Sequence, residues 1–138
     1  MEESGTLTGG CGCGAVRFEI GEPLLSASYC HCTRCQRRTG TAASANARLS
    51  PGSLRFTAGE AELRSWAPED GMEKVFCGLC GSALFARRSG GEIAGVRLGA
   101  IDGDPGIRPQ WHQYVAYAAP WQPLPDDGLP RYPEARPA

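Results

Sequence analysis

Seven cysteines, gathered in three short clusters, are the residues of this chain with the most distinctive chemistry. The number is odd, so a full set of disulfides would leave one thiol unpaired. Closely spaced thiolates are typical zinc ligands. A closed structural site takes four protein ligands, and an open catalytic site takes three. Seven thiols can therefore supply one site of each kind, and this is the division we favour. The clusters are Cys11 and Cys13; Cys30, Cys32 and Cys35; and Cys77 and Cys80.

The last cluster, Cys77-Gly78-Leu79-Cys80-Gly81, resembles a zinc knuckle, a tight turn in which backbone N–H groups point at the two sulfurs. A knuckle supplies two ligands and needs two more. The turn Cys11-Gly12-Cys13-Gly14 can supply them from far upstream. We therefore predict a structural zinc site that pins the amino-terminal strand to a later hairpin. Its ligands are Cys11, Cys13, Cys77 and Cys80.

The middle cluster places three sulfurs within six residues, at Cys30, Cys32 and Cys35. We predict that these cysteines hold a second zinc ion with one position open, and that they are the catalytic residues. His31 can close that site as a fourth ligand, but in an extended segment it points away from the side that Cys30 and Cys32 share. His112 can complete the site or orient a substrate. A hydrogen-bonded sheet residue is the favoured interpretation of His112.

Length and charge narrow the class of protein. A chain of 138 residues with ordinary globular composition fits one domain with a modest core. The acidic, Gly-rich start leads into no apolar run, so we expect a cytoplasmic protein whose thiols stay reduced, with no membrane partner. A net charge of −1 supplies no basic field for nucleic acid. Iron also fits a four-thiolate cage, but the spacing is not ferredoxin-like, so zinc is favoured.

The elements that must position these thiols are short. Residues 15–20 alternate apolar and polar, which is the period of a half-buried strand, and residues 33–39 predict one or two helical turns that end at Gly40. Residues 111–118 predict a late strand, and the Pro-rich chain from Pro120 predicts irregular surface structure. Turn signals separate the other predicted strands, so the domain is expected to be mainly β. Those strands are residues 24–30, 42–49, 54–56, 62–66, 74–76, 83–85 and 93–98.

Together the motifs resemble those of the glutathione-dependent formaldehyde-activating enzymes, whose domain also occurs in centromere protein V. The resemblance covers residues 5–133 as a single domain and leaves 134–138 as a tail. The three cysteine motifs occur in the family's order and spacing, and no cysteine lies outside them. The matching segments are Gly9-Gly10-Cys11-Gly12-Cys13-Gly14-Ala15-Val16, Cys30-His31-Cys32-Thr33-Arg34-Cys35, Thr39-Gly40, Phe76-Cys77-Gly78-Leu79-Cys80-Gly81, Leu98-Gly99-Ala100-Ile101-Asp102, Trp111-His112, Pro120-Trp121 and Asp127-Gly128-Leu129-Pro130.

The resemblance implies a β-tent fold, in which two small antiparallel sheets are organised around two zinc sites. It implies a structural zinc on the first and last cysteine pairs and a catalytic zinc on the middle three, in agreement with the division by number. The reaction of the family joins glutathione to formaldehyde to give S-hydroxymethylglutathione, and its members are carbon–sulfur lyases. The expected partners are therefore a small-molecule thiol and a small electrophile.

Three arginines are the candidate glutathione contacts. Three thiolates on Zn²⁺ leave a net negative charge, and an incoming thiolate adds a second, so nearby cations favour the bound state. The guanidinium forks of Arg34, Arg37 and Arg38 can bind the glutathione carboxylates, or they can offset thiolate charge or face solvent. The alternative function is a non-catalytic, zinc-stabilised module that binds protein. Redox chemistry like that of the methionine sulfoxide reductases with this fold needs a cysteine outside the clusters, which the chain lacks.

Overall fold

The computed structural model describes residues 6–88 and 91–137. The first residue of the expected domain, residue 5, and the last residue of the expected tail, residue 138, lie outside the described residues. Within these ranges no helix is long and apolar enough to cross a membrane. The elements are β1 (Leu7–Gly10), β2 (Arg17–Ile20), β3 (Ser26–Cys30), α1 (Thr33–Thr39), β4 (Ser44–Arg48), β5 (Leu54–Ala58), β6 (Leu63–Trp66), β7 (Glu73–Cys77), β8 (Ala83–Arg87), β9 (Ile93–Arg97) and β10 (His112–Gln113).

The strands form two sheets, which confirms the mainly β architecture. One sheet has three strands in the order β1-β2-β5, and the other has seven in the order β10-β3-β4-β9-β8-β7-β6. Every pairing between these strands is antiparallel except one, because β10 runs parallel to β3 at the edge of the large sheet. The two predicted antiparallel sheets are therefore present, and the large one carries a single parallel pairing at its edge.

Strand β10 is much shorter than the strand predicted at residues 111–118. Only His112–Gln113 pairs with β3, and Tyr114 then adopts a left-handed conformation with φ of 60°. A 3₁₀ turn follows at Val115–Tyr117. The backbone N–H of Tyr114 donates to the carbonyl of Glu134 at 3.0 Å. The backbone of the carboxy-terminal chain thus accepts a hydrogen bond from Tyr114, at a position where the sequence predicts that the strand continues.

The first strand is one that the sequence does not predict, because its two glycines resemble a loop. Gly9 lies so close to its neighbours that an added Cβ would meet the carbonyl oxygen of Ala100 at 2.3 Å and the ring of Phe18 at 2.5 Å. Glycine within a strand often marks such a close backbone approach. Here it lets the small sheet pack against the turn after β9.

The core lies between the two sheets. The ring of Phe85 in β8 packs edge to face against Phe18 in β2, with centroids 5.1 Å apart, and against Phe56 in β5 at 5.6 Å. Val75 and Val96 of the large sheet belong to the same buried cluster. Successive side chains of a strand point to opposite faces, so the residues between these apolar positions lie on the other face of the large sheet.

Helix α1 follows β3 directly and ends as the sequence predicts. Cys32 is the N-cap residue, and its Sγ accepts a hydrogen bond from the backbone N–H of Cys35. Gly40 closes the helix with φ of 69°, and its N–H donates to the carbonyl of Gln36 at 2.8 Å. A left-handed C-cap favours glycine because other residues meet a steric cost there.

Candidate metal centres

The first and last cysteine pairs meet in the structure, although the sequence separates them widely. The four sulfurs lie within 4.8 Å of one another. Cys11 Sγ is 3.6 Å from Cys13 Sγ, and Cys13 Sγ is 4.0 Å from Cys77 Sγ. Zinc binds sulfur at about 2.3 Å, which places the sulfurs of a tetrahedral site about 3.8 Å apart. The donor set and its spacing therefore fit a closed zinc site, with Cys80 as the remaining member.

Backbone and hydroxyl groups hold these sulfurs in place. The N–H of Val16 donates to Cys11 Sγ at 3.3 Å, and the N–H of Leu79 donates to Cys77 Sγ at 3.4 Å. Hydrogen bonds from Ser82, first from its side chain and then from its backbone, lower the pKa of Cys80 to about 5. Such outer contacts orient metal ligands and favour the thiolate form.

The middle three cysteines form the second cluster, and their sulfurs also lie within 4.8 Å of one another. Cys30 is the last residue of β3, and Cys32 and Cys35 belong to the first turn of α1. The N–H of Cys35 donates to Cys32 Sγ at 3.2 Å. The strand-to-helix junction therefore brings all three sulfurs to one point. Three sulfur donors fit an open zinc site of the catalytic type.

Negative charge in this second cluster is centred on one thiol. Hydrogen bonds from Cys30 and then Cys32, with smaller contributions from Ser44 and the charge of Arg97, lower the pKa of Cys35 to about 2. The pKa of Cys30 is raised by its contacts with Cys32 and Cys35. Of Cys30 and Cys35, Cys35 is therefore the thiol that loses its proton more readily, and it lies beside Arg97 in the first turn of α1.

Two buried histidines lie beside this cluster, with their rings in contact. His31 Nε2 is 2.8 Å from His112 Nδ1, and His112 Nε2 is 2.8 Å from Asp127 Oδ2. His112 also stacks on Tyr29, with centroids 4.9 Å apart. Burial and then the charge of His112 lower the pKa of His31. One ring nitrogen of His31 is therefore directed at His112, and His31 is not among the grouped metal ligands.

Asp127 is a site residue that the sequence interpretation did not single out. It lies in the chain after Pro120, which was expected to be irregular surface structure, and that chain does lack a named strand or helix. The only signal for Asp127 in the sequence was the match of Asp127-Gly128-Leu129-Pro130 to the family motifs. The carboxylate also accepts the backbone N–H of Leu129 at 3.1 Å, which closes a local turn.

A cavity of about 580 Å³ opens beside the second cluster and is lined in part by Cys30 and Cys35. Its floor is the face of the large sheet that points away from the core. Strand register places Ser44 opposite Cys30, and Asn46 opposite Arg97, on this one face. Polar residues alternate with alanine along much of β3 and β4. This period-two pattern is the sequence signal that could have predicted a polar face on these strands.

Cations surround this cavity, and the sequence interpretation did not select them. Lys74 and Arg97 lie on the floor, where Lys74 is opposite Ala86 and both are half-buried. Arg48 is exposed at the end of β4. Arg136 lies over the ring of Trp111, 4.0 Å from its centroid. Among the described residues no acidic side chain lines this cavity.

The three arginines proposed from sequence lie on α1 and do not line this cavity within the described chain. Arg34 pairs with Asp70 at 2.8 Å, and Arg38 lies 5.2 Å from the ring centre of Phe76. Arg37 is exposed. Arg38 Nε is buried with no hydrogen-bond partner among the described residues. Their contact with glutathione stays a prediction.

Comparison with known proteins identifies relatives of this architecture. A family model described as glutathione-dependent formaldehyde-activating enzyme matches residues 6–117. No curated protein matches the sequence. A crystal structure of a Rhodobacter sphaeroides protein matches the fold with a TM-score of 0.55 and 28% sequence identity, and the match covers 91% of this chain and 98% of that chain.

Proposed function

The chain belongs to the glutathione-dependent formaldehyde-activating enzyme family, and from this premise we propose that it is a zinc-dependent carbon–sulfur lyase that joins glutathione to formaldehyde. The observation that carries the proposal is the position of the cavity, which opens onto the thiols of Cys30 and Cys35. The four-thiol cluster is directed elsewhere and supports a structural role. Two zinc ions per chain are part of the proposal.

The three middle cysteines would hold the catalytic zinc, and Cys11, Cys13, Cys77 and Cys80 would hold the structural one. Zinc held at the open site would lower the pKa of a thiol bound to it, so that this thiol would be deprotonated near neutral pH. The cavity wall would hold that thiol beside the cluster. Holding both reactants at one place lowers the entropy cost of their encounter.

The proposed reaction balances without an oxidant or a second cofactor. The thiol of glutathione loses its proton, and the sulfur attacks the carbonyl carbon of formaldehyde. A C–S bond forms, the C=O π pair moves to oxygen, and that oxygen takes a proton. The product is the hydroxymethyl thioether, with no group released.

Substitution of Cys32 tests this function, because serine at the N-cap position can retain the cap of α1. We expect the wild-type protein to raise the rate of S-hydroxymethylglutathione formation by about tenfold or more over the uncatalysed reaction. Cys32→Ser should lose this rate and one zinc ion while the fold is kept. The measurements are NMR exchange spectroscopy, zinc analysis and circular dichroism.

The control is Thr33→Ser, which alters the exposed neighbouring residue and should change neither rate nor zinc content. Wild-type protein with two zinc ions and no rate above background would contradict the enzyme proposal. It would instead support the alternative of a zinc-stabilised module that binds protein.

A further inference from the structure

We propose that the face formed by Lys74, Arg97 and Arg48 binds a carboxylate of the thiol substrate, and so makes the site selective for anionic thiols. The inference rests on the proposed function, since it concerns the substrate thiol that would bind beside Cys30 and Cys35. It assigns the carboxylate contacts to the sheet, whereas the sequence alone directed attention to the arginines of α1.

Strand register brings this face together. Cys30 is opposite Ser44 in β4, and two residues further along β4 Asn46 is opposite Arg97 in β9. Residues opposite each other in antiparallel strands point to the same face, and so do residues two apart along a strand. Cys30 and Arg97 therefore lie on the same face of the sheet.

Lys74 joins the same face from the far side of β9. Gly95 is opposite Ala86, and Ala86 is opposite Lys74. Neither Gly95 nor Ala86 has a side chain long enough to cover the floor, so the long lysine can extend over them. Burial lowers the pKa of Lys74, and the nearby thiols of Cys35 and then Cys32 partly oppose this lowering.

Within the described chain no carboxylate pairs with the cations of this face. Lys74 has no salt bridge or side-chain hydrogen bond there, and Arg97 donates to the neutral Asn46 oxygen and lies beside the thiol of Cys35. By contrast, Arg34 and Arg87 are each paired with a carboxylate. A half-buried cation that lacks a carboxylate partner gains charge-assisted hydrogen bonds from an incoming carboxylate, so its binding is favoured.

Helix α1 explains why its own arginines are less suited to this role. Arg34 lies 5.9 Å from the ring centre of Trp66 and is held by Asp70, while Arg38 lies over Phe76. These contacts pack the helix onto the β6–β7 part of the sheet. The cations that line the cavity lie instead on the strands, at Lys74, Arg97 and Arg48, and Arg136 extends this positive lining.

Binding of three small thiols tests the inference without turnover. The probes are 3-mercaptopropionate, which carries a carboxylate, cysteamine, which carries an ammonium group, and neutral 2-mercaptoethanol. Isothermal titration of the zinc-loaded protein should show that 3-mercaptopropionate binds about tenfold tighter than cysteamine, because charge-assisted hydrogen bonds are the stronger ones. The neutral thiol should lie between them.

Charge variants at Lys74 test whether its ammonium group causes the preference for 3-mercaptopropionate. Lys74→Gln should reduce the preference for 3-mercaptopropionate to about threefold or less, and Lys74→Glu should reverse it in favour of cysteamine. A reversal requires a folded protein, so it separates loss of charge from loss of fold. The matched control is Arg55→Gln, which removes an exposed cation of the small sheet and should keep the wild-type preference.

The outcomes separate this inference from the proposed function. Equal binding of the three thiols, or an unchanged preference in Lys74→Glu, would overturn the inference even if the hydroxymethyl adduct forms. The expected preference in a protein that does not accelerate adduct formation would support the inference and overturn the proposed reaction. A protein that binds none of the thiols would overturn both.

Discussion

At the residue scale, His112 links the carboxy-terminal chain to the middle cysteine cluster. Both ring nitrogens have partners, His31 on one side and Asp127 on the other, and the side chain is 1% exposed. His31 lies between two cysteines of the cluster, so the orientation of that segment depends on this contact. Hydrogen bonds of this kind fix ring orientation near metal sites.

Replacement of His112 by leucine should destabilise the protein, because the ring nitrogen of His31 then loses its partner inside the structure. We expect a loss of about 1–3 kcal/mol in the free energy of unfolding, measured by urea denaturation of the zinc-loaded protein. Asp127→Asn keeps an oxygen acceptor for the His112 N–H and should cost less. A leucine variant as stable as the wild type would show that the His31 contact contributes little.

The sequence could predict how the cysteines group into two clusters, but not which residues surround them. Cysteine in tight motifs has few alternatives to metal binding, so the clusters could be recognised from spacing alone. Lys74 and Asp127 are single polar residues of common types. Their roles depend on which strands become neighbours, and this depends on contacts between distant segments.

At the element scale, helix α1 is short, and its ends are set by particular residues. Its N-cap sulfur belongs to the second cluster, and its C-cap is Gly40. No atom lies within 4 Å of a Cβ built on Gly40, so the requirement for glycine there is conformational and not steric. The helix is thus anchored at one end by the cluster and closed at the other by backbone conformation.

Gly40→Ala should destabilise the protein by about 1 kcal/mol, because alanine is strained at a φ of 69°. The matched control is Gly99→Ala, since Gly99 also has open space around its Cβ position but no positive φ. Chemical denaturation should show a loss only for the first variant. Equal effects in the two variants would contradict the conformational explanation.

Local turn residues allowed the hairpins inside the large sheet to be predicted from the sequence. The strands at the sheet edges were harder to predict, because their partners are decided by contacts with other parts of the chain. The hairpin of β7 and β8 carries its own turn, so local sequence predicts it. Strand β1 has no such local signal, and for β10 the sequence predicts a strand at residues 111–118 but neither its short length nor its partner. The first contains glycines needed for close packing, and the second pairs in parallel with a strand far away in the sequence.

At the scale of the whole molecule, the four-thiol cluster connects the two sheets. One cysteine pair follows β1, and the other lies at the turn between β7 and β8. A metal held by both pairs closes a long loop, and its binding free energy adds to the stability of the folded state. The three-thiol cluster spans only a local junction and has no such effect on distant segments.

Loss of the structural metal should therefore lower thermal stability more than loss of the catalytic one. We expect Cys13→Ser to lose one zinc ion and to lower Tm by about 5 °C or more relative to Cys32→Ser. Differential scanning calorimetry with zinc analysis measures both quantities. Equal Tm values for two variants that each lack one zinc would contradict the assignment of roles.

The polar face of the large sheet has a consequence for the divergence of relatives. Its residues at Ser26, Ser28, Asn46 and Arg48 contribute nothing to the buried core, which lies on the opposite face. Under the proposed role of this face, substitutions there would change the lining of the cavity and leave the packing of the apolar core in place. A single scaffold can in this way acquire new selectivities one surface residue at a time, with its cysteines unchanged.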